Sequence, residues 1–78
     1  MITSLQVRAA RAIVGWSQQE LADRAVISVN TVRRVEDEVG DVRVGTLKRL
    51  QKALEAAGVE FSPDGTAVRF VGKADGKR

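Results

Sequence analysis

Seventy-eight residues allow one domain with a small core; at this length a folded monomer buries only about 60% of its unfolded surface, which favours a partner subunit. The chain has no cysteine and no histidine, which excludes disulfides, zinc sites built from those ligands and the commonest general base. Thirteen Lys and Arg against ten Asp and Glu leave a net charge of +3, compatible with a polyanionic partner, and neither a signal peptide nor the roughly 20 apolar residues of a membrane span is present, so a cytoplasmic location is expected.

Thr3, followed three residues later by Gln6, reads as a capping box, and Leu5, Ala9, Ala12, Ile13 and Trp16 recur at helical spacing. They predict a first helix from Ser4 to Val14 with that apolar face inward and Gly15 ending it. Ser17 with Glu20 reads as a second capping box, and Leu21 and Ala22 form the inward face of a helix ending near Arg24 or Ala25. Ala25 to Ser28 make a four-residue turn. Ser28 then caps a third helix in which Val32 and Val35 point inward while Val29, Asn30, Arg33 and Arg34 face elsewhere. After an acidic loop from Asp37 to Val42, Leu47, Leu50, Ala53, Leu54 and Ala57 mark a fourth helix, with Gly58 placed for a left-handed C-cap.

From Val59 the period changes from 3.6 to 2, and Ser62-Pro63-Asp64-Gly65 reads as a type I turn joining two short strands. An isolated hairpin is marginal in water and its free edge is a template for another strand. The economical solution is a homodimer in which two hairpins pair or pack; the alternative is a hairpin folded onto its own helices. The fold class expected is therefore mainly α, a four-helix domain followed by a C-terminal β-hairpin. Residues 1–58 form the domain, 59–72 the hairpin and dimerisation element, and 73–78 a disordered basic tail.

The second and third helices, short and separated by four residues, have the layout of a helix-turn-helix DNA reader. A helix fits the major groove with its N-terminal residues against base edges. Asn30 suits adenine N6 and N7, Arg34 suits guanine O6 and N7, and Val29 suits a thymine methyl. Arg33 and Arg43 suit phosphate contacts that position without specifying. Gln18 and Gln19 lie in the first turn of the second helix, where free amides and the dipole favour a phosphate. Ser28 and Thr31 have two roles open to each, capping or contact with phosphate oxygens.

Residues 5 to 57 resemble the lambda-repressor and Cro-like helix-turn-helix family, also called the xenobiotic-response-element family. The resemblance rests on Arg11, the Gly15-Trp16-Ser17-Gln18 run, Leu21-Ala22, Ile27-Ser28, Thr31-Val32, Glu36 and Thr46-Leu47 at the start of helix four. It implies a third helix in the major groove, dimers on two-fold symmetric operators, and base reading from the positions of Val29, Asn30 and Arg34. It also implies a backbone grip from the position of Gln18, and an ion pair between Arg11 and Glu36 that fixes the reader to its scaffold. Two departures stand out. Val26 occupies a turn position where the family usually has glycine, and Asp37, Glu38 and Asp41 put acids in a loop that often approaches DNA, so they must point away from the duplex or weaken non-specific binding.

These features predict a homodimeric transcriptional regulator, a repressor on a palindromic double-stranded operator, without cofactor, metal or catalytic residues. The competing class is an antitoxin or adaptor whose main partner is a toxin or other regulatory protein, supported by the exposed hairpin edge. An enzyme is poorly supported, because no nucleophile adjoins a base and no phosphate loop or metal cluster is present.

Overall fold

The computed structural model describes residues 1–72 as four helices, α1 (Ser4–Val14), α2 (Gln18–Ala25), α3 (Val29–Asp37) and α4 (Val44–Ala56), then an antiparallel pair of strands, β1 (Val59–Phe61) and β2 (Val68–Phe70). The fold is mainly helical, with the hairpin at the C-terminal side. The tail expected at 73–78 lies outside the described residues.

Local hydrogen bonding explains where the helices begin. Thr3 and Gln6 form the full reciprocal box: the Gln6 amide donates to Thr3 Oγ1 at 3.2 Å and the Thr3 amide to Gln6 Oε1 at 3.1 Å. At Ser17 only half of the expected box exists. The Glu20 amide donates to Ser17 Oγ at 3.0 Å, but the Glu20 carboxylate turns outward to Arg24, 2.7 Å away. Ser28 caps α3 through the Thr31 amide at 3.1 Å. Helix α4 starts at Val44, two residues before the expected Thr46, and its N-cap Arg43 supplies no side-chain cap.

The core lies between α1, α2, α3, α4 and β1, where Val7, Ala10, Leu21, Val32, Leu50 and Leu54 are fully buried. Each such leucine contributes roughly 1.5–3 kcal/mol by leaving water. The face of α1 differs from the expectation. Gln6, Val7 and Ala10 are buried, whereas Ala9 and Ala12 are exposed and Leu5 and Ile13 remain 68% and 42% exposed. Helix α1 is apolar around most of its circumference, so periodicity alone allows two rotations about a third of a turn apart. Two polar tethers select one of them. Gln6 Nε2 donates to the carbonyls of Ser62 at 3.0 Å and Ala67 at 2.9 Å, and Arg11 reaches Glu36 on α3. Trp16 is half-buried against the core, with the Arg24 guanidinium 4.8 Å from its ring centre.

Helices α2 and α3 both end, at their C-termini, on left-handed residues that are not glycine. Val26 closes α2 at φ 59°, and the Ile27 amide donates back to the Ala22 carbonyl at 3.0 Å, a Schellman closure. Glu38 closes α3 at φ 57° in the same way, with the Val39 amide on the Arg34 carbonyl at 2.9 Å. Asp37, expected in the loop, is thus the last residue of α3.

The hairpin pairs Val59 with Phe70, Glu60 with Arg69 and Phe61 with Val68, and it packs against α1, with β1 also against α4. Within the protomer, then, the hairpin folds onto its own helices. The Gly65 amide closes the turn on the Ser62 carbonyl at 3.2 Å. Gly58 enters β1 at φ 106°, and a side chain there would lie 2.6 Å from the Gly72 carbonyl carbon, so glycine is required for both conformation and space. Asp64 accepts from the Thr66 and Ser62 hydroxyls and the Thr66 amide, and these donors hold its carboxyl below the ordinary aspartate range.

Two outcomes are expected. Val26 is 75% exposed, so its β-branched side chain contributes little packing while bearing left-handed strain. Val26→Gly should raise stability by about 1 kcal/mol and Tm by several degrees in a thermal melt; a clear fall would refute the strain argument. For Asp64, a depressed folded pKa means stabilisation present above the unfolded value, about 3.9, and lost as pH falls through the folded one. The Thr66 amide resonance should shift in that acid window, and the shift should vanish in Asp64→Asn.

Candidate nucleic-acid interface

On α3 the buried residues Val32, Val35 and Glu36 define one side. At 100° per residue the opposite crest carries Asn30, Arg34 and Asp37, with Arg33 beside them, and all four are exposed. Val29 and Thr31 lie on the flanks, half-buried, with Val29 packed partly against the core. Asn30 and Arg33 meet each other: Arg33 Nη1 donates to Asn30 Oδ1 at 3.0 Å. A carboxamide oxygen accepts twice, so this bond orients the amide and leaves it one lone pair and two N–H groups. Arg34 lies against Gly40, where an added Cβ would stand 2.9 Å from the guanidinium Nη2.

Two helix N-termini flank this crest. In α2 the amides of Gln18 and Gln19 have no acceptor among the described residues, since Ser17 caps only Glu20. In α4 the amides of Val44 and Gly45 are likewise free, because Arg43 provides no cap. That second end opens into a cleft of about 170 Å³ lined by Thr31, Arg34, Asp41, Val42, Arg43 and Thr46. Two arginines and two hydroxyls in this lining suit an anionic oxygen, with the Asp41 carboxylate opposing them. The reading from residues used Thr46 only to mark the start of helix four and assigned neither it nor the bare start of α4 to the interface. The available signal was the lack of Ser, Thr, Asp or Asn before Val44.

The side chain of Gln18 does something else as well. Its Nε2 donates to Glu36 Oε1 at 2.9 Å, and Glu36 also accepts from Arg11 Nε at 2.7 Å and Nη2 at 3.1 Å. Arg11 Nη1 completes the cluster by donating to the Trp16 carbonyl at 2.9 Å. The Arg11–Glu36 pair implied by the resemblance is therefore present, bidentate and largely buried, with the Glu36 side chain only 3% exposed. Gln19 is exposed and its amide donates to Asp23 at 2.9 Å. Ser28 Oγ caps α3 and lies 2.8 Å from Thr31 Oγ1, a contact in which one hydroxyl donates and the other keeps its proton. Of the three acids in doubt, Glu38 turns toward α1, accepting from Ser4 Oγ at 2.7 Å; Asp41 lines the cleft beside Arg34 and Arg43; Asp37 shares the outward side of α3.

The model of the helix-turn-helix family, Cro/C1-type, matches residues 7–61. The match spans well over half of the chain, and the chain belongs to this family of DNA-binding regulatory proteins. No curated protein matches the chain. No described helix is long and apolar enough to cross a membrane.

Removing the Glu36 carboxylate would leave the Arg11 guanidinium, 24% exposed, and the Gln18 amide without their acceptor. Glu36→Ala should cost about 2–3 kcal/mol, discounted from the fully buried case for the exposure of Arg11, and lower Tm by about 10 °C or more. An unchanged melting curve would show that the pair does not hold α3 in place.

Proposed function

We propose that this helix-turn-helix protein is a sequence-specific reader of double-stranded DNA that acts as a homodimeric repressor on a palindromic operator, with the hairpin as its dimerisation element. The observation that carries the reading is the crest of α3, where Asn30 and Arg34 stand exposed between two helix ends whose amides are free. Asn30 and Arg34 take the bidentate roles toward adenine and guanine, and the half-buried Val29 offers a methyl to thymine from the flank. Arg33 steadies the Asn30 amide while remaining free to meet phosphate with its other N–H groups.

Backbone phosphates are held on both sides of the crest. On one side stand the Gln18 and Gln19 amides and the remaining side-chain N–H of Gln18; on the other stand Thr31, Arg43 and the start of α4, while Ser28 stays a cap. The acids set a limit on affinity. Asp37 and Asp41 lie among the reading and clamping groups, where they repel any phosphate not precluded by register, and this lowers non-specific binding more than specific binding. In this reading repression works by occupation, because a domain seated on an operator blocks access to that stretch of DNA.

Selection of bound sites from a random duplex pool, at near-physiological salt, tests the reading. Wild type should enrich a palindrome with half-sites about 10 bp apart, and the double variant Asn30→Ala, Arg34→Ala should enrich none. On the selected site Arg34→Ala should lose about 1–3 kcal/mol of discrimination at one base pair. Arg43→Ala should weaken all sequences alike and reduce the salt slope by about 1. Absence of any enrichment would overturn the proposal in favour of a protein partner.

A further inference from the structure

The exposed apolar side of α1 has no partner within the protomer. Leu5, Ala9 and Ile13 recur every fourth residue along it, with Leu5 68% and Ile13 42% exposed. On the helical wheel this stripe adjoins Gln6, the residue tied to the hairpin, and lies across α1 from Arg11, the residue tied to α3. Helix α1 and strand β2 also run side by side in the same direction. Gln6 bonds to Ala67 at one end, and Ile13 and Phe70 line one groove at the other.

The strand beside the stripe has an open edge. The Ser62 amide bonds to the Ala67 carbonyl and the Val71 amide to the Gly58 carbonyl, so the pairs 58–71, 60–69 and 62–67 carry the ladder. By alternation the backbone groups of Val68 and Phe70 point away from β1, and no acceptor or donor among the described residues meets them. Phe70 and Val71, 57% and 56% exposed, extend the apolar surface along that edge. An unpaired edge continuous with an unpartnered helix stripe is a two-layer surface cut open.

We infer that this surface, the outer stripe of α1 together with the free edge of β2, binds the same surface of a second copy, joining two hairpins into a four-stranded sheet over a pair of antiparallel α1 helices. The inference rests on the dimeric reading above and names its interface. A second copy fits for three reasons. The stripe is self-complementary about Ala9: in an antiparallel pair Leu5 meets Ile13 of the partner while the small Ala9 residues allow close approach at the axis. The same axis falls near Val68, at which register Arg69 faces Ala67 of the partner; centring on Arg69 would instead oppose two like charges. Finally, α3 lies beyond α1 from the axis, so the two α3 helices are separated by three helix-to-helix spacings of roughly 8–10 Å each. That approaches the ~34 Å of one DNA turn.

Because the chain contains no cysteine, one thiol can report the axis. Full-length Ala9→Cys, oxidised with copper phenanthroline, should form a covalent dimer that still binds the selected operator, whereas Lys52→Cys on α4 should not cross-link. In sedimentation equilibrium Leu5→Glu, at an exposed position, should weaken the wild-type dimer at least tenfold with helical circular dichroism unchanged. Failure of Ala9→Cys to cross-link, or a full-strength Leu5→Glu dimer, would overturn this interface while leaving a wild-type dimer and the DNA reading intact. A wild-type chain that stays monomeric in solution and on operator DNA would overturn the interface and the homodimeric reading together.

Discussion

A carboxylate as deeply buried as that of Glu36 must be surrounded by donors to remain in the interior, and the donors it has come from two other helices. Arg11 reaches it from α1 with two N–H groups, and Gln18 reaches it from the first turn of α2. A bidentate guanidinium contact is directional, so it restricts the rotation and height of α3 as well as its distance. With Glu36 facing inward, the crest on the far side must carry Asn30 and Arg34. The outward geometry of the reader is therefore set by what its inner side is bonded to.

The same cluster connects scaffold to surface. Gln18 spends one N–H on Glu36 and keeps its backbone amide outward, so the helix end that suits a phosphate is held by the bond that also holds the reading helix. That end of α2 is joined to α3 by the single hydrogen bond from Gln18 to Glu36. Stability against which the turn strain is set comes from the core leucines and valines and from the absence of unpartnered buried side-chain polar atoms among the described residues. Two left-handed residues with side chains, Val26 and Glu38, are tolerated in that frame, and Glu38 is partly compensated by its bond to Ser4.

The hairpin plays a second structural part. By taking both donors of Gln6 it buries a polar residue in the face of α1 and turns the larger apolar residues of that helix, Leu5 and Ile13, outward. A small domain that leaves such groups in water gives up burial it can ill spare, and a partner surface is the physical remedy.

Much of this was legible in the residues. The limits of α1 and α2, the start of α3, the caps at Thr3, Ser17 and Ser28, the Ser62–Gly65 turn and the helix-turn-helix spacing are written within windows of a few residues, because each satisfies backbone groups next to it in the chain. The same spacing predicted that Asn30 and Arg34 face away from the core on α3, which is where they lie, while Val29 is half-buried on the flank. The rotation of α1, the attachment of Gln18 to Glu36, the cleft between Arg34 and Thr46 and the hairpin's seat on α1 were decided only by tertiary structure. Those features depend on groups that are distant in the chain, such as Glu36 for Gln18, 18 residues away, and Ala67 for Gln6, 61 residues away. An amphipathic period can state that a helix has an apolar face, but where two faces are apolar only the groups that arrive from elsewhere in the chain determine which one turns inward.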